Sequence, residues 1–249
     1  MAGIVKGVWE YPLKGARGNN VEYLAIDPKV GVIGDRRFAL RRTPGNLYEW
    51  APKTEFRVGM NTAPMVAEIP IFQGGSRRGD LRRLDPRYLA GLASRLNVAG
   101  DLQVQNTQGE YNLCDTPGAT VSFLNLASVQ ALAEFLGKEV DPRRFRMNVW
   151  MTGLAPFEEL EWVDRFPGTR QIEAGPCRFR VDDACERCAA IQANPDTGQY
   201  DLKLLKALGE LMGQRNYKSP HRGKPTVMGI LAVPLTHGII FPQDEIGLI

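Results

Sequence analysis

Short apolar runs, each closed off by turn-forming residues, constrain this chain more than any other feature. Segments 4–9, 21–26, 37–40, 65–72 and 102–105 are rich in β-branched and aromatic residues and are bounded by Gly, Pro, Asn or Asp. Segments 145–151, 178–181, 189–193 and 227–233 repeat the pattern. Many short strands separated by turns predict a barrel or a strongly bent sheet. Three segments carry helical period and punctuation instead. Asp85-Pro86 is a cap followed by a first-turn proline, leading into Tyr88, Leu89, Leu92 and Leu96. Asn125 is placed to cap a helix with Leu126, Val129, Leu132, Ala133 and Leu136 on its apolar positions and Gly137 at its stop. A third runs from about Asp201 through Leu204, Leu205, Leu208 and Met212 to Gly213. The expected class is mixed α/β, mainly β, with a barrel core and a few peripheral helices.

The 249 residues are 43% hydrophobic and 24% charged, enough for one large domain with a substantial core. No stretch reads as a flexible linker, and no internal repeat is evident. Near the N-terminus, Lys6, Glu10 and Pro12 interrupt the apolar patch, unlike a signal peptide. No run approaches the ~20 apolar residues of a membrane span. The expectation is a cytoplasmic protein with mostly reduced cysteines and no membrane partner. A net charge of +3 does not argue for nucleic acid, and the basic run Arg77, Arg78, Arg82 and Arg83 reads as a solvated loop.

Chemistry concentrates late in the chain, where Cys177, Cys185 and Cys188 fall within twelve positions. Cys185 and Cys188 form a Cys-x-x-Cys pair, which can chelate zinc, form a redox disulfide, or give one thiolate to another metal. Structural zinc wants a second pair or closely spaced histidines, and the only histidines, His221 and His237, are 16 apart. A thioredoxin-like pair wants a helix after the cysteines, but Asn194-Pro195-Asp196-Thr197-Gly198 reads as an immediate turn. Cys114 and Cys177 fit small buried fillers.

Ala184-Cys185-Glu186-Arg187-Cys188 followed by Asn194-Pro195-Asp196-Thr197-Gly198 resembles the signature of MOSC (molybdenum cofactor sulfurase C-terminal) domains, in particular the mitochondrial amidoxime-reducing component branch. The resemblance extends to Tyr11-Pro12-Leu13-Lys14-Gly15, Gly34-Asp35-Arg36-Arg37-Phe38, Phe145-Arg146-Met147-Asn148 and Pro156-Phe157-Glu158-Glu159 with Trp162. Gly229 and the segment 238–245 resemble the closing strands. It implies a single domain unit over 1–249, with a β-barrel portion over about 1–75 and a MOSC core over about 100–249. It also implies a molybdenum cofactor (molybdopterin) whose metal takes the Cys188 thiolate, the catalytic centre, with Lys14, Gly15, Arg36, Arg146, Asn148 and Cys185 around the cofactor. Soft thiolate sulfur suits such a metal, and Lys and Arg suit a terminal phosphate. The sequence departs from the family where Gly15 replaces a serine, Met147 replaces a proline, and 48–53 differs, with Lys53 a possible substitute contact.

The activity this resemblance implies is an oxidoreductase acting on a small N-oxygenated or sulfoxide-like substrate. The chain carries no ferredoxin cysteine pattern and no dinucleotide fingerprint, so its electrons would come from a separate donor protein. Two alternatives share the same residues: a sulfur carrier using a persulfide on Cys188 or Cys185, and a cofactor-binding protein without turnover. Arg187 would favour a thiolate in the sulfur-carrier case.

Overall fold

In the computed structural model the described residues are 2–12, 14, 18–43, 101–110, 112–113, 119–164, 168–196, 200–218 and 226–249. The expected strand over 65–72, the helix from Asp85, the basic run from Arg77, Gly15, Lys53, Cys114 and His221 lie outside them.

Seven strands close on themselves. They are β1 (Gly3–Glu10), β7 (Val121–Asn125), β8 (Val149–Thr152), β9 (Gln171–Ala174), β10 (Cys177–Glu186), β11 (Val227–Pro234) and β13 (Glu245–Leu248). The order runs β13-β9-β10-β11-β7-β8-β1, and β1 pairs back onto β13 through Gly3 with Ile246. Closure removes the unpaired edges that an open sheet exposes. Val5, Phe123, Val149, Met151, Ile172, Phe179 and Ile230 are fully buried. Phe123 and Phe179 meet edge to face, 5.2 Å between centroids. The protein is thus mainly β with a barrel at its centre, as the punctuation of the sequence predicts.

Outside the barrel, β2 (Asn19–Val21) extends the sheet from β1. β3 (Leu24–Asp27), β4 (Gly31–Val32) and β12 (Gly238–Ile240) form a small sheet, and β5 (Phe38–Thr43) pairs with β6 (Asp101–Asn106). Two α-helices lie among the described residues, α1 (Leu126–Leu136) and α2 (Leu204–Gln214). α1 matches its expected punctuation. The Asn125 side chain accepts from the Ala127 amide at 3.0 Å, and Gly137 ends the helix in the left-handed region at φ 67°. β7 and β8 are parallel neighbours, which cannot be joined by a hairpin, and α1 supplies the crossover.

Three expected strands need correction. Segment 21–26 is broken between β2 and β3 at Glu22-Tyr23. Segment 145–151 begins instead as a 3-10 turn, Pro142–Phe145, started by Pro142 and capped by Asp141. Strand geometry resumes only at Val149, after Arg146 turns left-handed at φ 53°. Segment 189–193 is likewise a 3-10 turn, Ala189–Gln192. In all three a short apolar run carries too little period to tell strand from turn.

Candidate functional site

The end of β1 and the turn after β4 meet beside the start of β8. Gly34 adopts φ 90° and Arg36 φ 44°, so the chain doubles back over β1. The Arg36 amide donates to the Tyr11 carbonyl at 2.7 Å, and the Tyr11 amide donates to Asp35 Oδ1 at 2.6 Å. Asp35 is fully buried and its other oxygen accepts from Arg36 Nη1. From the third side come Arg146, Met147 and Asn148. Arg36 Nη2 donates to the Arg146 carbonyl at 3.1 Å. Asn148 is fully buried; its Nδ2 donates to the Trp9 carbonyl at 3.1 Å, and its Oδ1 accepts from Ser122 Oγ at 2.7 Å.

Tyr11 lies at the centre of this junction, with the Arg146 guanidinium 4.6 Å and the Arg36 guanidinium 5.3 Å from its ring centroid. The charges acting most strongly on Tyr11 are Arg146, Arg36, Asp35 and Arg187, three cations and one anion. Burial, with the positive charge of Arg36 next, pushes the Arg146 guanidinium down to about 10. It is still a cation at neutral pH, with the Arg36 guanidinium as a like-charged neighbour. Burial also raises the Tyr11 phenol well above its ordinary value, although Arg146 and Arg36 pull it back. Two of the six non-glycine residues with positive φ among the described residues are Arg36 and Arg146. Such backbone conformations cost about 1–3 kcal/mol each and concentrate where function demands them.

Arg187 joins this cluster to the cysteine pair. Its Nη2 donates to the Phe145 carbonyl, and its Nη1 donates to Cys185 Sγ at 2.8 Å and Met147 Sδ at 3.3 Å. Two register shifts in β10, at Val181/Asp183 and Ala184/Glu186, bend the strand just before these residues. The Arg187 amide still bonds the Thr226 carbonyl at 2.8 Å, so the chain runs on extended to Cys188. Cys177, Cys185 and Cys188 are all free cysteines. Cys188 is exposed, whereas Cys185 is half-buried and Cys177 buried. Burial pushes the Cys177 thiol up to about 11, consistent with a core filler.

Of the residues singled out from sequence, Arg36, Arg146 and Asn148 come together, Cys185 is tied in through Arg187, and Cys188 follows Arg187 into solvent. Lys14 lies on the adjoining segment, where its amide donates to the Phe38 carbonyl at 2.8 Å. The sequence reading did not assign Asp35, Tyr11 or Ser122 to the site. Asp35 and Tyr11 sit inside motifs that it quoted, but their roles depend on a contact 24 residues apart.

A family model described as MOSC domain matches residues 110–246, more than half of the chain. The chain belongs to the MOSC domain family. Among curated relatives, molybdenum cofactor sulfurase of Caenorhabditis elegans is 36% identical over 87 residues, covering 34% of this MOSC chain and 11% of the relative. Mitochondrial amidoxime reducing component 2 of Bos taurus is 31% identical over 99 residues, 40% of this chain and 26% of the relative. The chain therefore matches only about a tenth to a quarter of the length of these relatives. YUAD protein from Bacillus subtilis aligns with the whole of this chain and 96% of its own, at a TM-score of 0.44 and 14% identity.

Proposed function

We propose that this MOSC protein binds the molybdenum cofactor and reduces a small N-oxygenated or related substrate, with electrons from a separate donor protein. The observation that carries the reading is the placement of the Arg36 and Arg146 guanidinium groups on the Tyr11 ring, with Arg187 tied to the same junction through Phe145 and Met147 and the exposed Cys188 next in sequence. Half-buried cations held beside one another suit an anionic ligand, and forked guanidinium donors suit phosphate oxygens. An exposed cysteine sulfur one residue beyond Arg187 suits a soft, sulfur-ligated metal. The residues present therefore fit a ligand that is a phosphate at one end and a thiophilic metal at the other. Bound there, the molybdenum cofactor supplies oxygen-atom transfer and two-electron redox chemistry. The chain's part is to hold the phosphate end through Arg36 and Arg146, fix Arg36 through Asp35 and Asn148, and present the Cys188 sulfur. Molybdenum cofactor sulfurase and amidoxime reducing component, the names of the relatives, support a role around this cofactor.

Sulfur transfer is the second reading, favoured by the contact between the Arg187 guanidinium and Cys185 Sγ. That contact holds the Cys185 sulfur in a fixed place beside the exposed Cys188 segment.

Protein made in a host that synthesises the cofactor should contain molybdenum near one per chain by elemental mass spectrometry, with a recoverable pterin. Cys188→Ala should lose the metal and the N-oxide reductase activity while keeping its melting temperature. Cys185→Ala should be milder. An absence of molybdenum in the unmodified protein, together with sulfide released by reductant from a cysteine, would replace the reductase with the sulfur carrier.

A further inference from the structure

Two consecutive arginines on the 3-10 turn Pro142–Phe145 each grip a carboxylate of the loop that follows Cys188. Arg143 Nη1 and Nη2 reach the two oxygens of Asp196 at 3.0 and 2.8 Å, while its Nε holds Asp141 Oδ2 at 2.8 Å. Arg144 Nη1 and Nη2 reach the two oxygens of Asp201 at 2.8 and 2.9 Å, and Nη1 also donates to the Gln192 carbonyl at 3.2 Å. Asn194 links the two grips. Its Nδ2 donates to Asp201 Oδ2 and its Oδ1 accepts from the Asp196 amide, both at 2.8 Å. The loop is closed at its base by the bridge between Ala193 and Tyr200.

Stability alone is a poor reason for this construction. The Asp196 carboxylate is 56% exposed, and exposed pairs are worth about 0–1 kcal/mol. The Arg144 side chain is only 4% exposed, so its charge is desolvated at a cost that the Asp201 pair does little more than offset. What two planar forks on adjacent residues do supply is a fixed distance and angle between the segments they join. On one side, the turn runs directly into Arg146 and Asn148. On the other, the loop begins at Cys188, whose carbonyl accepts the Ile191 amide at 3.3 Å.

The geometry points to Arg143–Asp196 and Arg144–Asp201 as a double clamp of positioning residues that sets the spacing between the Cys188 thiol and the cationic cluster around Tyr11. It rests on the proposal that one ligand bridges those two ends. A ligand gripped at both ends gains affinity through the effective concentration of the second contact, and that gain vanishes when the spacing is wrong.

The test uses the full chain and a haloacetamide carrying a pyrophosphate tail, compared with the same reagent without the tail. In the unmodified protein the tail should accelerate alkylation of Cys188 by more than about tenfold, because the cluster holds it near the thiol. Asp201→Asn and Asp196→Asn should bring the ratio of the two rates toward one. Pyrophosphate affinity by calorimetry should change less than about threefold, and the melting temperature should stay within a few degrees. Asp196→Glu should keep most of the acceleration. Molybdenum and pterin retained after purification should fall in parallel in the Asn variants. An acceleration in the Asn variants equal to that of the unmodified protein, or pyrophosphate binding lost together with it, would overturn the clamp. A ratio of one in the unmodified protein would overturn the bridging ligand itself and the clamp with it. Should Asp201→Asn fail to fold, the more exposed Asp196→Asn decides the question.

Discussion

Two parts of this molecule bury charge, and they do it in opposite ways. At the start of α1, Glu159 is fully buried and its carboxylate is answered entirely from within. It accepts from Ser128 Oγ at 2.8 and 2.9 Å and from Asn125 Nδ2 at 3.0 Å. Ser128 Oγ in turn accepts from the Phe157 amide, and Asn125 donates as well to the Ala155 carbonyl. At the Tyr11 junction, the Arg36 and Arg146 guanidinium groups stack on one ring, both on left-handed backbone, and Asp35 pairs with Arg36. A closed polar network ties elements together and asks nothing of solvent or ligand. Like charges set side by side on left-handed backbone are costly to the fold, and an anion between them would relieve the repulsion. Which charges are set beside which, more than burial, distinguishes the two regions.

Cutting the closed network should produce the largest effect. Glu159→Ala removes the acceptor of two buried donors and leaves a cavity, which should cost about 3–4 kcal/mol in chemical denaturation. The folded fraction should still bind pyrophosphate as the unmodified protein does. A large stability loss accompanied by loss of anion binding would show that the two regions are coupled and break the contrast.

Titration sharpens the same comparison with a slightly smaller effect. Burial raises the Glu159 carboxyl to about 7, against the hydrogen bonds from Ser128 and Asn125 that lower it. The folded state therefore holds this proton more tightly than the unfolded state does. Its contribution to stability is complete below about pH 4.5 and is lost as pH rises toward 7, roughly 3 kcal/mol across that window. Glu159→Gln should stay folded and lose that part of the pH slope. An identical slope in the Gln variant would assign the titration to another group. Asp201 works in the other direction. Its pairing with Arg144 holds its carboxyl below the ordinary value, so that contribution is present at neutral pH and lost on acidification.

The barrel was legible in the sequence because strand periodicity and turn residues are local. The same is true of α1, whose cap Asn125 and stop Gly137 stand next to the helix they bound. β7, β9 and β13 were missed; in β7 all five residues are buried, so it lacks the alternation that marks a half-buried strand. For the site, residue identity carried Arg36, Arg146, Asn148 and Cys188 through a family resemblance. Nothing local could place Asp35 under the Tyr11 amide or Arg143 against Asp196, 53 residues apart. The quoted Pro156-Phe157-Glu158-Glu159 motif illustrates the reverse case. It entered only as part of the resemblance, with no role attached, and Glu159 proves to anchor α1. Motifs report which residues matter, and only the long-range pairing reports what they do.

The smallest effect discriminates most finely between the two regions. Arg146 combines a left-handed backbone at φ 53° with a desolvated cation beside Arg36. Glycine adopts that backbone without the steric penalty, and its lack of a side chain removes the like-charge contact. Arg146→Gly should therefore leave stability unchanged or raise it by about 1 kcal/mol in ligand-free protein, since relief of strain offsets the packing of the guanidinium on Tyr11. The same variant should weaken pyrophosphate binding at least about tenfold, because a charge-assisted contact to an anion is worth roughly 1.5–3 kcal/mol. Stability rising while affinity falls is the signature of a residue kept for its ligand. A loss of several kcal/mol in the ligand-free protein would instead place Arg146 with Glu159, as a charge the fold needs for itself, and would leave Arg36 and Arg187 as the anion-binding pair.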